Sequence, residues 1–191
     1  MRFSWSILAV CLAATACASN GRLPETWGQA LRNPAPACAS VAGTYLNVGE
    51  EPKSRGGPGG RPMLAGILGF TTATTSAISK VRIAVSGDGA IVFTRVLAEE
   101  GDRTSELPGE TRLKPTCSLD GALTWSGSAR DLRASNVGDP LAGLENVSYE
   151  FRRGADGALY VTSHEYGGGL VYMFLPFGYS GTDHYRFPPA D

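Results

Sequence analysis

The residues able to do chemistry in this chain are few. Only two histidines occur, His164 and His184, each beside a carboxylate: Glu165 follows the first and Asp183 precedes the second. Two imidazoles and two carboxylates are donors that a divalent ion accepts. That set requires the two stretches to be neighbours, and successive residues on a strand point to opposite faces. His164 and His184 are thus weak metal candidates, and the plainer expectation is two polar-face histidines near strand ends. A serine nucleophile is displayed by Gly-x-Ser-x-Gly. Gly178-Tyr179-Ser180-Gly181 is one residue short of it and reads as a tight turn. Glu50-Glu51 and Glu99-Glu100 offer carboxylates of the kind that cleave glycosides, but at loop edges, where acidic side chains are ordinarily just solvated. No catalytic residue, metal or other cofactor is expected.

The cysteines carry a different chemistry. Arg2 opens the chain, and an apolar run of about ten residues follows from Ile7 to Ala16. As a helix it would span about 15 Å, roughly half a bilayer core, too short for a transmembrane anchor. It reads as the apolar region of a secretory signal, with small residues at its cleavage end. Ala14-Thr15-Ala16 and Ala16-Cys17-Ala18 both fit an ordinary signal peptidase. Ala14-Thr15-Ala16-Cys17 also resembles the bacterial lipobox, departing from it at Ala14, where that motif usually has Leu. The resemblance implies a lipid on Cys17, with export to the periplasm as a free protein the alternative. Ala18, where an inner-membrane retention signal would have Asp, points to the outer membrane, facing the periplasm. The expected division is residues 1–16 signal peptide, 17–37 lipidated cysteine and tether, and 38–191 a β domain.

With Cys11 removed and Cys17 acylated, Cys38 and Cys117 remain. An even pair in an oxidising compartment reads as a disulfide. Closing a loop of 79 residues, it would contribute roughly 4.5 kcal/mol in the chain-entropy account. Two buried free thiols are the alternative, and a metal site would need more Cys or His nearby.

Charge excludes other classes. Seventeen basic and eighteen acidic residues leave a net charge of −1, with no block of either sign. A nucleic-acid binder would carry a basic face, so no nucleic-acid partner is expected; the membrane, through the lipid, is. A protein or small-ligand partner is not specified.

The elements that position these residues are mostly strands. Residues 18 to 37, with Pro24, Pro34 and Pro36, read as a semi-rigid spacer, with Trp27 and Leu31 on one side of a helical turn. Residues 50 to 62 are Gly- and Pro-rich and lack apolar side chains, so they read as a loop. Met63 to Phe70 is the convincing helix, with Leu64, Ile67 and Leu68 at helical spacing. Asp88-Gly89, Asp120-Gly121 and Asp156-Gly157 each precede a β-prone run and mark hairpins. Val81, Ile83 and Val85, and later Val147, Tyr149 and Phe151, alternate with polar residues, the antiparallel pattern with one wet face. Further strands are expected at Gly43–Val48, Thr111–Cys117, Leu170–Leu175 and Tyr185–Phe187, with Pro176 ending the third of these. Gly167-Gly168-Gly169 is expected to be a bulge or flexible entry, and residues 127 to 144 a loop. Tyr172, Phe174, Phe177, Tyr179 and Tyr185 are expected mainly in the core. The fold class is mainly β: an antiparallel meander forming a small barrel or sandwich, with one short helix.

The stretch Cys38-Ala-Ser-Val-Ala-Gly43-Thr-Tyr45-Leu-Asn47-Val-Gly49-Glu50 resembles the Cys-x4-Gly-x-Tyr-x-Asn-x-Gly-Glu opening of a set of uncharacterised proteobacterial envelope lipoproteins. Leu64–Leu68, Cys117-Ser-Leu-Asp120-Gly121-Ala-Leu123, Ala155-Asp156-Gly157-Ala-Leu159 and Tyr185-Arg186-Phe187 are similar to later short motifs of that set. The resemblance runs over residues 38 to 187 in outline. It implies a lipoprotein and a Cys38–Cys117 pair, and no activity. Gly43-Thr-Tyr45 also bears a faint likeness to the Gly-x-Trp opening of lipocalins. The resulting expectation is a lipid-anchored envelope protein with a non-enzymatic binding or structural role. The alternatives are a lipocalin-like small-ligand carrier and a small periplasmic hydrolase.

Overall fold

The computed structural model describes residues 17–32, 41–52, 61–68, 78–85, 91–97, 106–108, 116–118, 122–126, 130–133, 141–171 and 175–190. The chain is mainly β, in two sheets that form a sandwich rather than a closed barrel. The larger sheet has the strand order β1 (Cys17–Asn20), β11 (Leu175–Phe187), β10 (Leu159–Val171), β9 (Leu141–Arg153), β7 (Leu123–Ser126), β6 (Thr116–Cys117), with β8 (Arg130–Arg133) also paired to β9. The smaller sheet has the order β2 (Gly43–Leu46), β3 (Ile78–Val85), β4 (Ile91–Leu97), β5 (Glu106–Pro108). Every pairing among these strands is antiparallel except β1 with β11, which is parallel.

The Asp-Gly pattern falls where hairpins form. The three dipeptides lie between β3 and β4, β6 and β7, and β9 and β10, each an antiparallel pair of consecutive strands. In the third, Gly157 sits at φ +77°, the left-handed region that an L side chain resists. The Asp156 carboxylate accepts from the Ala158 N–H at 3.2 Å and closes the turn.

The core lies between the sheets. Tyr45, Leu64, Val81, Ile83 and Phe93 from the smaller-sheet side meet Leu123, Phe151, Leu159, Val161 and Phe187 from the larger, all nearly inaccessible. Each large apolar side chain so buried is worth roughly 1.5–3 kcal/mol relative to exposure. The expected helix is present as α2 (Leu64–Ile67), with Leu64 and Ala65 in that core. On one side the sheets are stitched together, since β2 and the residues after it run beside the end of β11. Leu46 N–H donates to Pro188 O (2.9 Å), and Glu50 and Arg186 exchange backbone bonds of 2.8 and 3.0 Å.

Several expectations change. The spacer expected from residue 18 to 37 is folded onto the sheet over 17–32, as β1 and a six-residue helix α1 (Glu25–Ala30). Trp27 packs edge-on against Tyr160 at 5.8 Å, and Ala155 N–H donates to Ala30 O at 3.0 Å. The loop expected over 127–144 contains β8 and the start of β9, whose Ala142–Glu145 pair with β8 on one side and β10 on the other. Pro176 does not end a strand. It is the second residue of β11, ahead of the stretch that pairs with β1, and there its missing N–H costs no ladder bond on that edge. Gly167-Gly168-Gly169 forms no bulge but pairs in regular register with Tyr179, Gly178 and Phe177. A Cβ on Gly167 would lie 2.7 Å from the Tyr179 ring, so the ring occupies the space a side chain would need.

Candidate functional site

The long strands set the site geometry. β9, β10 and β11 have 13 residues each, about 43 Å at about 3.3 Å per residue. Among the described side chains, the core cluster takes its larger-sheet members from residue 123, from 151 to 161 and from 187. The other ends of these strands extend past it.

His164 and His184 fall on neighbouring strands. His164 is the register partner of Thr182, and His184 of Thr162, so the imidazoles sit diagonally on one face. Strand alternation places Glu165 and Asp183 on the opposite face, which separates the four expected ligands. Among the described residues no group of three or more His, Cys, Asp or Glu is placed to hold a metal ion. Each histidine has a structural partner instead. His184 Nε2 donates to Gly21 O at 3.1 Å, and Nδ1 meets Thr162 Oγ1 at 3.2 Å. His164 Nδ1 meets Thr182 Oγ1 at 3.4 Å. Burial lowers the pKa of His184, the bond to Gly21 O opposing it.

Ser180 is not on a turn. Gly178–Gly181 lies inside β11, paired along its length with β10, so no elbow presents the hydroxyl. Glu50 is engaged with Arg186, at 3.0 Å from Nη1. Glu99-Glu100 lies outside the described residues. Asp156 takes the other side of Arg186, at 2.9 Å from Nη2, and accepts from Tyr160 Oη at 2.9 Å. Burial pushes the Asp156 carboxyl up, and the hydrogen bonds from Arg186, Tyr160 and Ala158 outweigh it and hold the group below its usual range. This network ties the β9–β10 turn to the segment after β2, a structural use of charge.

On the inner face, Trp125 stacks on Tyr149 at 5.1 Å and 7°, and both pack at the margin of the core with Tyr185. Burial pushes the Tyr185 hydroxyl up to about 12, which keeps it neutral. Phe177 and Tyr179 stack at 6.5 Å and 5° and are half-buried, beyond the core expected to hold them. Tyr172 and Phe174 lie outside the described residues.

The motif stretch of residues 43–50 serves packing. Tyr45 Oη donates to Val41 O at 2.8 Å. Asn47, fully buried, donates from Nδ2 to Ile78 O at 2.9 Å and accepts at Oδ1 from Ala65 N–H at 2.8 Å. Its backbone carbonyl accepts from Leu64 N–H at 2.9 Å. Asn47 therefore caps α2 from outside the helix, in place of Met63, whose side chain makes no capping bond.

Of the cysteines, Cys117 lies in β6 and is disulfide-bonded. Cys38 and Cys11 lie outside the described residues. Cys17 is the first residue of β1, and its register partner is Tyr179. No helix among the described residues is long and apolar enough to cross a membrane. Comparison with family models, with curated proteins and with solved structures finds no match.

Proposed function

We propose that the chain is a lipid-anchored protein of the bacterial envelope, exported by residues 1–16 and acylated on Cys17, whose β domain has a binding or structural role without catalysis. The observation that carries this is the order Arg2, apolar Ile7–Ala16, small Ala14-Thr15-Ala16, Cys17. The fold supports it in one respect: residues 17–20 form an edge strand, so a lipid on Cys17 is held close to the domain. Among the side chains suited to chemistry by type, His184, Asp156 and Glu50 serve sheet and turn contacts. A lipocalin-like carrier would need a closed barrel, and the two sheets do not supply one among the described residues.

Mass spectrometry of the mature N-terminus tests this. The expected species begins at Cys17 and carries acyl groups, and Cys17→Ser abolishes its labelling by palmitate. A mature chain starting at Ala18, or an uncleaved Met1, overturns the assignment.

A further inference from the structure

On β10 and β11 the far end of the long sheet is uncharged in sequence and lies beside the anchor residue. Its last described register is Leu141, Val171 and Leu175 on three adjacent strands. From Tyr166 to Thr182 the sequence holds no charged residue and no histidine. Tyr166 is 57% exposed and Leu170 41%, on the same face of β10. Charge lies on the β8–β9 side of this end: β8 brings Arg130, Asp131 and Arg133 to the register positions of Glu145, Leu144 and Ala142, and leaves the β10–β11 side without any. An exposed apolar end rimmed by polar residues marks an interaction surface.

What covers it follows from β1. The strand runs parallel to β11, and Cys17 is registered with Tyr179, four residues from Leu175. At about 3.3 Å per residue, the end of the sheet lies about 13 Å beyond Cys17. The headgroup layer on one side of a bilayer is roughly 5–7 Å deep. A sheet whose anchor sits at the membrane surface is therefore long enough to enter the headgroup layer. Depth is limited by hydrogen bonding, because among the described residues the outer edge of β11 is paired with β1 only from Tyr179 onward. Unpaired backbone is not tolerated in hydrocarbon, which restricts contact to the interface. Tyrosines at this level match the residues that favour membrane interfaces.

We propose that this end of the sheet is a membrane-docking surface, resting in the interfacial layer of the leaflet that holds the Cys17 lipid. The inference rests on the anchoring reading above, and it turns the anchor and the sheet end into a two-point contact that fixes the domain upright. Two such signals hold a protein to a membrane far better than one.

The test uses the mature full chain carrying Leu170→Trp, reconstituted in vesicles of phosphatidylethanolamine and phosphatidylglycerol containing lipid brominated on its upper acyl carbons. The parent chain supplies the background of Trp27 and Trp125. The expected result is a blue-shifted emission from the indole introduced at position 170, quenched by the brominated lipid. Tyr166→Trp, placed nearer the body of the domain, is quenched less. Tyr166→Trp also serves as reporter if Leu170→Trp fails to fold. Emission from both positions that is quenched only by aqueous iodide overturns the proposal. So does a blue shift that needs no vesicles and tracks dimer formation, because a second copy then covers the surface. The mass of the mature N-terminus separates the two readings. Lipid quenching in a chain without acyl groups keeps the docking surface and removes the anchor, whereas an acylated chain with both reporters in water does the reverse.

Discussion

His184 illustrates how a residue suited to metal binding is spent on structure. Its Nε2–H goes to Gly21 O and its Nδ1 accepts from Thr162, which fixes one neutral tautomer. Burial lowers its pKa from 6.5, with smaller contributions from Gly21, His164, Asp183 and Glu150. A base whose folded pKa lies below its unfolded one binds more protons when unfolded. Its contribution is therefore intact above about pH 6.5 and is lost as pH falls through the folded value. Thermal melting of the wild-type chain is expected to drop over that window, while His184→Gln melts lower at neutral pH and shows a flatter profile there. An equal slope in both proteins would remove His184 as the cause. The histidine is legible in the sequence. Its partner is not, because Gly21 is 163 residues away and its role is played by a backbone carbonyl, which residue type does not mark.

At the scale of elements, α2 and β3 depend on Asn47. A four-residue helix cannot sustain itself, since nucleation is costly and tertiary support must supply the rest. Asn47 supplies it by taking the Leu64 and Ala65 N–H groups while donating to Ile78 O. Asn47→Ala leaves the Ala65 N–H and the Ile78 carbonyl without that side chain, for a loss of about 2–4 kcal/mol in urea unfolding. Asn47→Asp keeps the acceptor but removes the donor and buries a charge, so it is expected to be at least as damaging. A loss below about 1 kcal/mol for both would mean that water replaces the side chain. Period-two alternation makes β3 and β9 legible, and Asp-Gly marks three hairpins. The motif around Asn47 is visible as a pattern, but its meaning lies in contacts 18 and 31 residues away. β1 reads as spacer because the polar start of the mature chain looks like a linker, whereas the spacing of Trp27 and Leu31 already marks the turn that becomes α1. Parallel pairing to β11 and the Trp27–Tyr160 contact are tertiary and leave no local periodicity.

For the whole molecule, the question is what holds two sheets of unequal length in one arrangement. One side is closed by backbone bonds between the β2 region and the end of β11, reinforced by Arg186 between Asp156 and Glu50 and by Arg153, whose Nη1 donates to Ala42 O at 2.9 Å. These ion pairs are partly exposed, so each is screened and contributes little alone. The other edge of the larger sheet ends at β6, which carries the disulfide-bonded Cys117. The proposed partner, Cys38, precedes Val41 by three residues, and Val41 is fully buried in the core. A Cys38–Cys117 bond thus ties the chain entering the smaller sheet to the edge of the larger one, closing a loop of 79 residues. Peptide mapping without reductant is expected to recover that pair. Dithiothreitol, or Cys38→Ser with Cys117→Ser, is expected to cost about 2–4 kcal/mol in unfolding free energy. The loss should appear as a lower melting temperature with the strand spectrum of the native state retained at low temperature, because the core of Tyr45, Phe93, Phe151 and Phe187 persists without the cross-link. If mapping joins Cys117 to Cys17 instead, Cys17 has no free thiol for acylation, and the lipid anchor and the cross-link cannot both be as proposed.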